Sequence, residues 1–390
     1  MTVYDAIMIG GGVMGCATAY HLLKNDPALK VAIIEKDPSY KHSSTVLSDG
    51  NHRIQFNVKE NIQISQYGFE MLENFAELMA VGDKKPDIDF RKQGNLFLTD
   101  DAGVEFTKNG MTLQQSLGCE VEWLSPDAIA ERFEFIDKTS ISGGTYSPND
   151  GTMDPQAVLL GYKDKAVDLG ATYIVDEVID VLVNGERVTG VKLSDGTVLN
   201  SQFLVNSSGA WGKKFAEQAG FHLPMKAIKR HVFHIETHIT PPNTVPLTVF
   251  PSGLYLIHEG GNHFLCGKSL DVDPEGFDFT FNRQLFTDYF WEDLVNHMPA
   301  MEQLKVAGGW AGLYAVNTFD HNAILGEIPA MKGFLLANGF SGHGFQQCHA
   351  VGRYLAERIL GIDVSLDLSI FSPERILNNT PVLENPHKIV

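Results

Sequence analysis

The first residues able to do chemistry are three glycines and a distant acid. Gly10, Gly12 and Gly15 stand in Gly10-Gly11-Gly12-Val13-Met14-Gly15, and Glu35 comes twenty residues after Gly15. Gly10 permits a tight turn, Gly12 leaves the backbone open to a pyrophosphate, and Gly15 lets a helix lie close on a sheet. A helix N-terminus at that point offers unpaired N–H groups and a positive dipole end to phosphate. A carboxylate at Glu35 suits ribose hydroxyls and opposes a 2′-phosphate, which leaves NAD or FAD and argues against NADP. A lone glycine motif is weak, but here strand, helix and strand fall in order around it: Tyr4–Ile9, Cys16–Lys24 and Val31–Ile34.

Further candidates are scattered. Ser43, Ser44 and Thr45 sit in a polar loop over 36–49 that suits either a phosphate or plain solvent. Arg53 is either a surface cation or an anion-binding group. The apolar strand Phe203–Val205 ends in Ser207, Ser208, Gly209, Ala210 and Trp211, where nucleotide contacts gather in parallel sheets. Near the far end, Phe334–Asn338 leads through Gly339-Phe340-Ser341-Gly342-His343-Gly344-Phe345 into a helix over 346–360. That second strand, glycine loop and helix closes the nucleotide domain with C-terminal sequence.

The elements that must position these groups read as α/β. An amphipathic helix is expected over 60–80, a strand pair over 89–99, a helix over 101–117, and strands near 120–124 and 142–146. Pro155, behind Asp154, opens a helix running to Leu169. Strands follow over 171–183, 188–193 and 197–199. Residues 225–320 are rich in strands, with a helix over 282–298 and a glycine-rich strand over 306–314. The division this implies is a nucleotide domain over 1–85, 150–222 and 320–375, an interleaved α+β substrate domain on a mainly antiparallel sheet over 86–149 and 223–319, and a tail over 376–390.

The chain has 390 residues, 44% of them hydrophobic and 20% charged, with a net charge of −18. It is long enough for two domains. The acidity disfavours nucleic acid, since no basic stripe meets phosphates. Its four cysteines form no CxxC and no zinc pattern. No apolar run spans a bilayer, and with the first strand so near Met1 the expectation is a cytoplasmic protein.

Together, Gly10–Gly15 with Glu35, Val205–Trp211, Trp310–Tyr314 and Gly339–Phe345 resemble the D-amino acid oxidase and sarcosine oxidase family of FAD proteins, in order along nearly the whole chain. Within it, Ser44–Gly50, Asn317–Gly326, Gly339–Gln347 and Asp367–Phe371 are most similar to the branch of mitochondrial FAD-dependent oxidoreductase-domain proteins of complex I assembly. The dimethylglycine and sarcosine dehydrogenase-like branches come next. The resemblance implies FAD in a Rossmann-like domain of the glutathione-reductase type. It puts Gly10, Gly12, Val13, Met14 and Gly15 at the pyrophosphate, and Glu35 and Lys36 at the adenosine. Ser43, Ser44 and Thr45 become phosphate or flavin contacts, and Val178 an adenine contact. Ser207, Ser208, Gly209 and Trp211 line the cofactor, with Gly342, His343, Gly344, Phe345 and Gln346 at the flavin edge. There, N–H groups at a helix start stabilise charge on a reduced flavin.

The departures from the family pattern are informative. The cysteine that some members use to bind flavin covalently aligns with Gly312, and the histidine that others use aligns with Leu47, so non-covalent FAD is expected. The lysine that assists oxygen aligns with Leu265, which favours a dehydrogenase passing electrons to a protein or quinone. The lysine that binds the substrate carboxylate aligns with Gln346, leaving Arg53 as the anion contact. The expected activity is oxidation of the C–N bond of a secondary or tertiary amine or amino acid, with Arg53, Tyr255, His258, Lys268, Tyr314, His343 and Gln346 as candidate substrate-side groups. Tyr255 and His258, three apart on a strand, face opposite sides. Two alternatives stay open: a 2-hydroxy-acid dehydrogenase using His258 or His343 as base, and a low-turnover flavoprotein with an assembly or binding role.

Overall fold

The computed structural model describes residues 3–133 and 135–384. The expected tail is described as far as Glu384, and its last six residues lie outside the described residues. Two eight-stranded sheets dominate.

The first sheet is built on Val3–Ile9. It pairs in parallel with Val31–Glu35 on one side and Val198–Asn206 on the other. Val198–Asn206 in turn pairs in parallel with Met331–Asn338, and Val31–Glu35 with Thr172–Val175. The register sets Ile9 beside Ile34 and Asn206, and Asn206 beside Leu336. Segments nearly the whole chain apart thus end at one edge, where ligands of parallel sheets sit. Both faces are buried. The helices Val13–Asn25, Lys59–Glu73, Pro155–Asp168 and Gly344–Leu360 cover one, and the core around Phe215, Phe221 and Phe334 lies on the other.

Local chemistry explains these helices. Asp154 caps Pro155–Asp168 by accepting from the N–H groups of Gln156 and Ala157. Gly361, at φ +66°, ends Gly344–Leu360. The first and last long helices pack backbone to backbone, because a Cβ on Gly352 would lie 2.9 Å from Ala17. Their N-termini therefore share one end of the sheet.

The second sheet joins Asn95–Thr99, Glu122–Leu124 and Gly143–Ser147 to five strands from residues 225–317. Its pairs are antiparallel except Leu247–Val249 with Asn95–Thr99. Its longest ladder pairs Met225–Thr237 with Leu304–Asn317.

Several expectations shift in detail. The strand pair over 89–99 is a single strand, Asn95–Thr99, because positive φ at Asp89 and Gly94 breaks what precedes it. The strands read separately over 197–199 and 203–205 are one, held together by its neighbour Val3–Ile9. The stretch 171–183 is instead two strands. The helix over 282–298 is a π-type turn, Phe286–Phe290, running into Trp291–His297. Ile324–Ile328, an antiparallel edge strand, had no strand signal of its own. No described helix is long and apolar enough to cross a membrane.

Candidate active site

A cavity of about 360 Å³ runs from the carboxyl edge of the parallel strands to one face of the second sheet. That volume is typical of a ligand cleft. Gly10 takes φ +102°, and a Cβ there would stand 2.8 Å from the Ser207 carbonyl. Gly12 is different. The atoms nearest a Cβ on Gly12 are Thr45 Oγ1 at 3.6 Å and Ser43 Oγ at 3.9 Å, so its bare face opens between the helix start and the Ser43–Thr45 loop. Thr45 Oγ1 accepts from Val13 N, and Ser44 Oγ donates to the Leu313 carbonyl. The Glu35 carboxylate accepts from the N–H groups of Gly11 and Asp37, both at 2.9 Å, and burial raises its pKa. The Lys36 ammonium lies 4.0 Å from the centre of the Trp211 ring. Met14, Val178, Ser207, Ser208 and Gly209 line the same end.

The helices Val13–Asn25 and Gly344–Leu360 both begin at the cleft, and neither N-cap residue, Gly12 or His343, supplies a capping side chain. Two helix starts at the cleft, a glycine face open to the cavity and an acid at the end of the second strand fit a dinucleotide cofactor well. One helix start suits a pyrophosphate and the other an electron-rich ring edge. The model of the family described as "FAD dependent oxidoreductase" matches residues 5–358.

The chain belongs to this family, and its cofactor is FAD. It is 34% identical over 418 residues to FAD-dependent oxidoreductase domain-containing protein 1 of Xenopus laevis, covering 97% of this chain and 84% of the relative. It is 28% identical to sarcosine oxidase subunit beta of an Arthrobacter species, covering 95% and 91%. Among solved structures, the crystal structure of L-proline dehydrogenase from P. horikoshii superposes with a TM-score of 0.87 at 25% identity, covering 98% of this chain and all of that one.

In this FAD-dependent oxidoreductase the other end of the cleft holds Arg53, Tyr255, Tyr314, Gly342, His343, Gly344, Phe345 and Gln346. Gln346 Oε1 accepts from Arg53 N at 3.0 Å. Arg53 Nη2 meets His343 Nε2 at 2.9 Å, its guanidinium lies against the Phe56 and Phe97 rings, and its Nε is buried without a partner. Guanidinium donates only, so Nε2 of His343 holds a lone pair. Burial first, then the charge of Arg53, pushes the His343 pKa down to about 3. Gly342, at φ +101°, gives room for the Tyr314 ring, 2.5 Å from where a Cβ would stand. Tyr255 Oη donates to Asp49 Oδ2 at 2.5 Å. Gly312 and Leu47 meet: a Cβ on Gly312 would lie 3.2 Å from that of Leu47.

Three of the expected residues stand elsewhere. Lys268 is paired with Asp293 at 2.6 Å, outside the cleft lining. His258 turns to the opposite face of its strand from Tyr255. It accepts from Val245 N at Nδ1, meets the Gly261 carbonyl at Nε2 and stacks on Phe264, so both ring nitrogens are engaged. Gly15 lies behind the cleft, where a Cβ would fall 2.2 Å from the Gly10 carbonyl. Its glycine shapes the turn rather than lining the cavity.

Arg230 and Asp49 are among the cleft residues that escaped the sequence. Arg230 shares its strand face with Val232, donates to Asp273 Oδ2 at 2.5 Å and lies over the Tyr314 ring. In sequence it is one of several basic residues between 226 and 231, and only its place in the alternation, once the strand is known, selects it. Asp49 stood in a polar loop with no periodicity to point its carboxyl inward.

Proposed function

We propose that this protein is an FAD-dependent dehydrogenase that oxidises the C–N bond of a secondary or tertiary amino acid, with a protein or quinone as electron acceptor. The observation that carries the reading is Arg53. Its guanidinium is buried at the cleft; Asp150 and Glu384 favour its charge from a distance, but among the described residues none forms an ion pair with it. A buried guanidinium costs several kcal/mol unless something compensates its charge. A substrate carboxylate does so, and Gln346 and His343 hold the clamp in place.

Val13 and Met14 at the helix start, Ser43–Thr45, Glu35 and Ser207–Gly209 would hold the dinucleotide. Gly342–Gln346 would meet the flavin edge. When bound, FAD supplies the acceptor for a hydride equivalent leaving the carbon α to nitrogen. The protein's part is to clamp the carboxylate, exclude water with the apolar roof of Leu247, Val249 and Ile257, and present that carbon. Leu265, packed with Leu247 and Ile257, brings no cation to the roof, which supports a dehydrogenase over an oxidase. Gly312 facing Leu47 supports dissociable flavin, as neither side chain can bond to it. A hydroxy-acid reading loses support, because the lone pair of His343 is taken by Arg53 and His258 points away.

An anaerobic absorbance titration with sarcosine, dimethylglycine, proline, D-amino acids and 2-hydroxy acids tests the proposal. Bleaching by secondary or tertiary amino acids with slow recovery in air is expected. Rapid recovery would make it an oxidase. No bleaching by any of them would sink the amino-acid reading and favour a binding or assembly role.

A further inference from the structure

Asp49 has no task in the scheme so far, yet it lies in the cleft beside Tyr255. Oδ2 accepts the Tyr255 hydroxyl, Oδ1 is buried with no partner, and among the described residues no cation pairs with it. The groups that feel its charge are Tyr255, Tyr314 from the adjoining strand pair, Cys266 behind the sheet and Glu259. All are neutral or acidic. Tyr255 is fixed as well: a Cβ on Gly267 would fall 2.2 Å from its hydroxyl, so only glycine leaves that oxygen its place. With its proton given to Asp49, Tyr255 Oη keeps its lone pairs for another donor.

An amino acid in water carries an ammonium, whose nitrogen has no lone pair. Loss of hydride from the neighbouring carbon needs that lone pair to form the C=N bond. A proton must therefore leave first, and among the described residues the roof of Leu247, Val249 and Ile257 offers it no acceptor. Resting on the amino-acid reading above, we propose that Asp49 and Tyr255 are the acceptor: the substrate N–H⁺ passes its proton to Tyr255 Oη as the Tyr255 proton passes to Asp49 Oδ2. The step leaves a neutral amine, an intact Tyr255 hydroxyl and a neutral Asp49 carboxylic acid. The ligand class is a protonated secondary or tertiary amino acid, its carboxylate on Arg53 and its nitrogen towards Tyr255. Burial raises the Asp49 pKa to about 6, which leaves it ionised at neutral pH and close enough to the operating range to take a proton.

The test is the rate of anaerobic flavin reduction by proline and sarcosine against pH, for the wild type, Asp49→Asn and Tyr255→Phe. The affinity for 2-furoate, a ring carboxylate with no N–H, is read separately from the flavin spectrum. The wild-type rate is expected to fall below about pH 6. Both variants are expected to lose about 100-fold or more at pH 7, to recover as rising pH delivers neutral amine, and to keep the wild-type affinity for 2-furoate within about two-fold. Variants with the wild-type pH profile, or with reduction and carboxylate binding lost together, overturn the assignment alone. A wild type that neither amino acid reduces overturns it together with the reading on which it rests.

Discussion

Arg53 concentrates the residue-scale argument. Its backbone is held by Gln346 and its guanidinium by His343, and among the described residues no carboxylate pairs with it directly, although Asp150 and Glu384 lie near enough to favour its charge. Lysine is not equivalent there, because it lacks the planar fork that pairs with a carboxylate and leaves the lone pair of His343 without its donor. Arg53→Lys is expected to lose one charge-assisted hydrogen bond, about 1.5–3 kcal/mol, or roughly 10- to 150-fold in kcat/KM for a carboxylate-bearing amine. Flavin content measured by absorbance is expected to stay at the wild-type level. Loss of flavin instead would assign Arg53 to the cofactor.

At the scale of elements, the site is a product of two helix starts. The first helix can begin against the strand end because Gly15 has no side chain. A methyl there would collide with the Gly10 carbonyl and with the Ser207 hydroxyl, 2.2 and 2.8 Å away. These are backbone and buried atoms that cannot swing aside, so the turn itself must move. Gly15→Ala is expected to cost about 1–3 kcal/mol in stability and to yield a folded, largely colourless protein. Circular dichroism would show the fold kept, and absorbance would show the flavin lost. Full flavin occupancy in this variant would mean that the pyrophosphate does not rest on the turn.

At the scale of the whole molecule, the helix layer buries a group of histidines. His21, His52 and His349 lie among Tyr20, Tyr162, Phe69 and Phe75. Burial depresses the pKa of His21 to about 3 and that of His52 to about 4, and holds that of His349 well below its ordinary value. An unfolded histidine titrates near 6.5. Between that value and the folded ones the unfolded chain binds more protons, so these groups withdraw stability as pH falls below about 6.5. Asp150, raised by burial to about 8, acts in the opposite sense. The contribution of one histidine is therefore best isolated by difference. On going from pH 7 to pH 5, His21→Leu is expected to lose less stability than the wild type, by up to about 2 kcal/mol, as read from urea unfolding. Equal losses would mean that His21 titrates alike in both states.

What the sequence determined was local. Gly10, Gly12 and Gly15 at their spacing, Glu35 at a strand end, and the loop around His343 each state their chemistry through backbone freedom and helix polarity, properties of a few adjacent residues. Strand and helix assignments with period and caps of their own, such as Asp154–Pro155 before its helix, were legible for the same reason. Resemblance along the chain added the cofactor. What only the tertiary structure decided was company. Asp49 meets Tyr255 across 206 positions and Arg53 meets His343 across 290, and no short-range pattern encodes such pairs. Lys268 and His258 looked equally able to act until the sheet turned one towards Asp293 and the other away from the cleft. A strand's alternation fixes which residues share a face, but which face is buried against a cofactor is settled by packing between segments far apart in the chain.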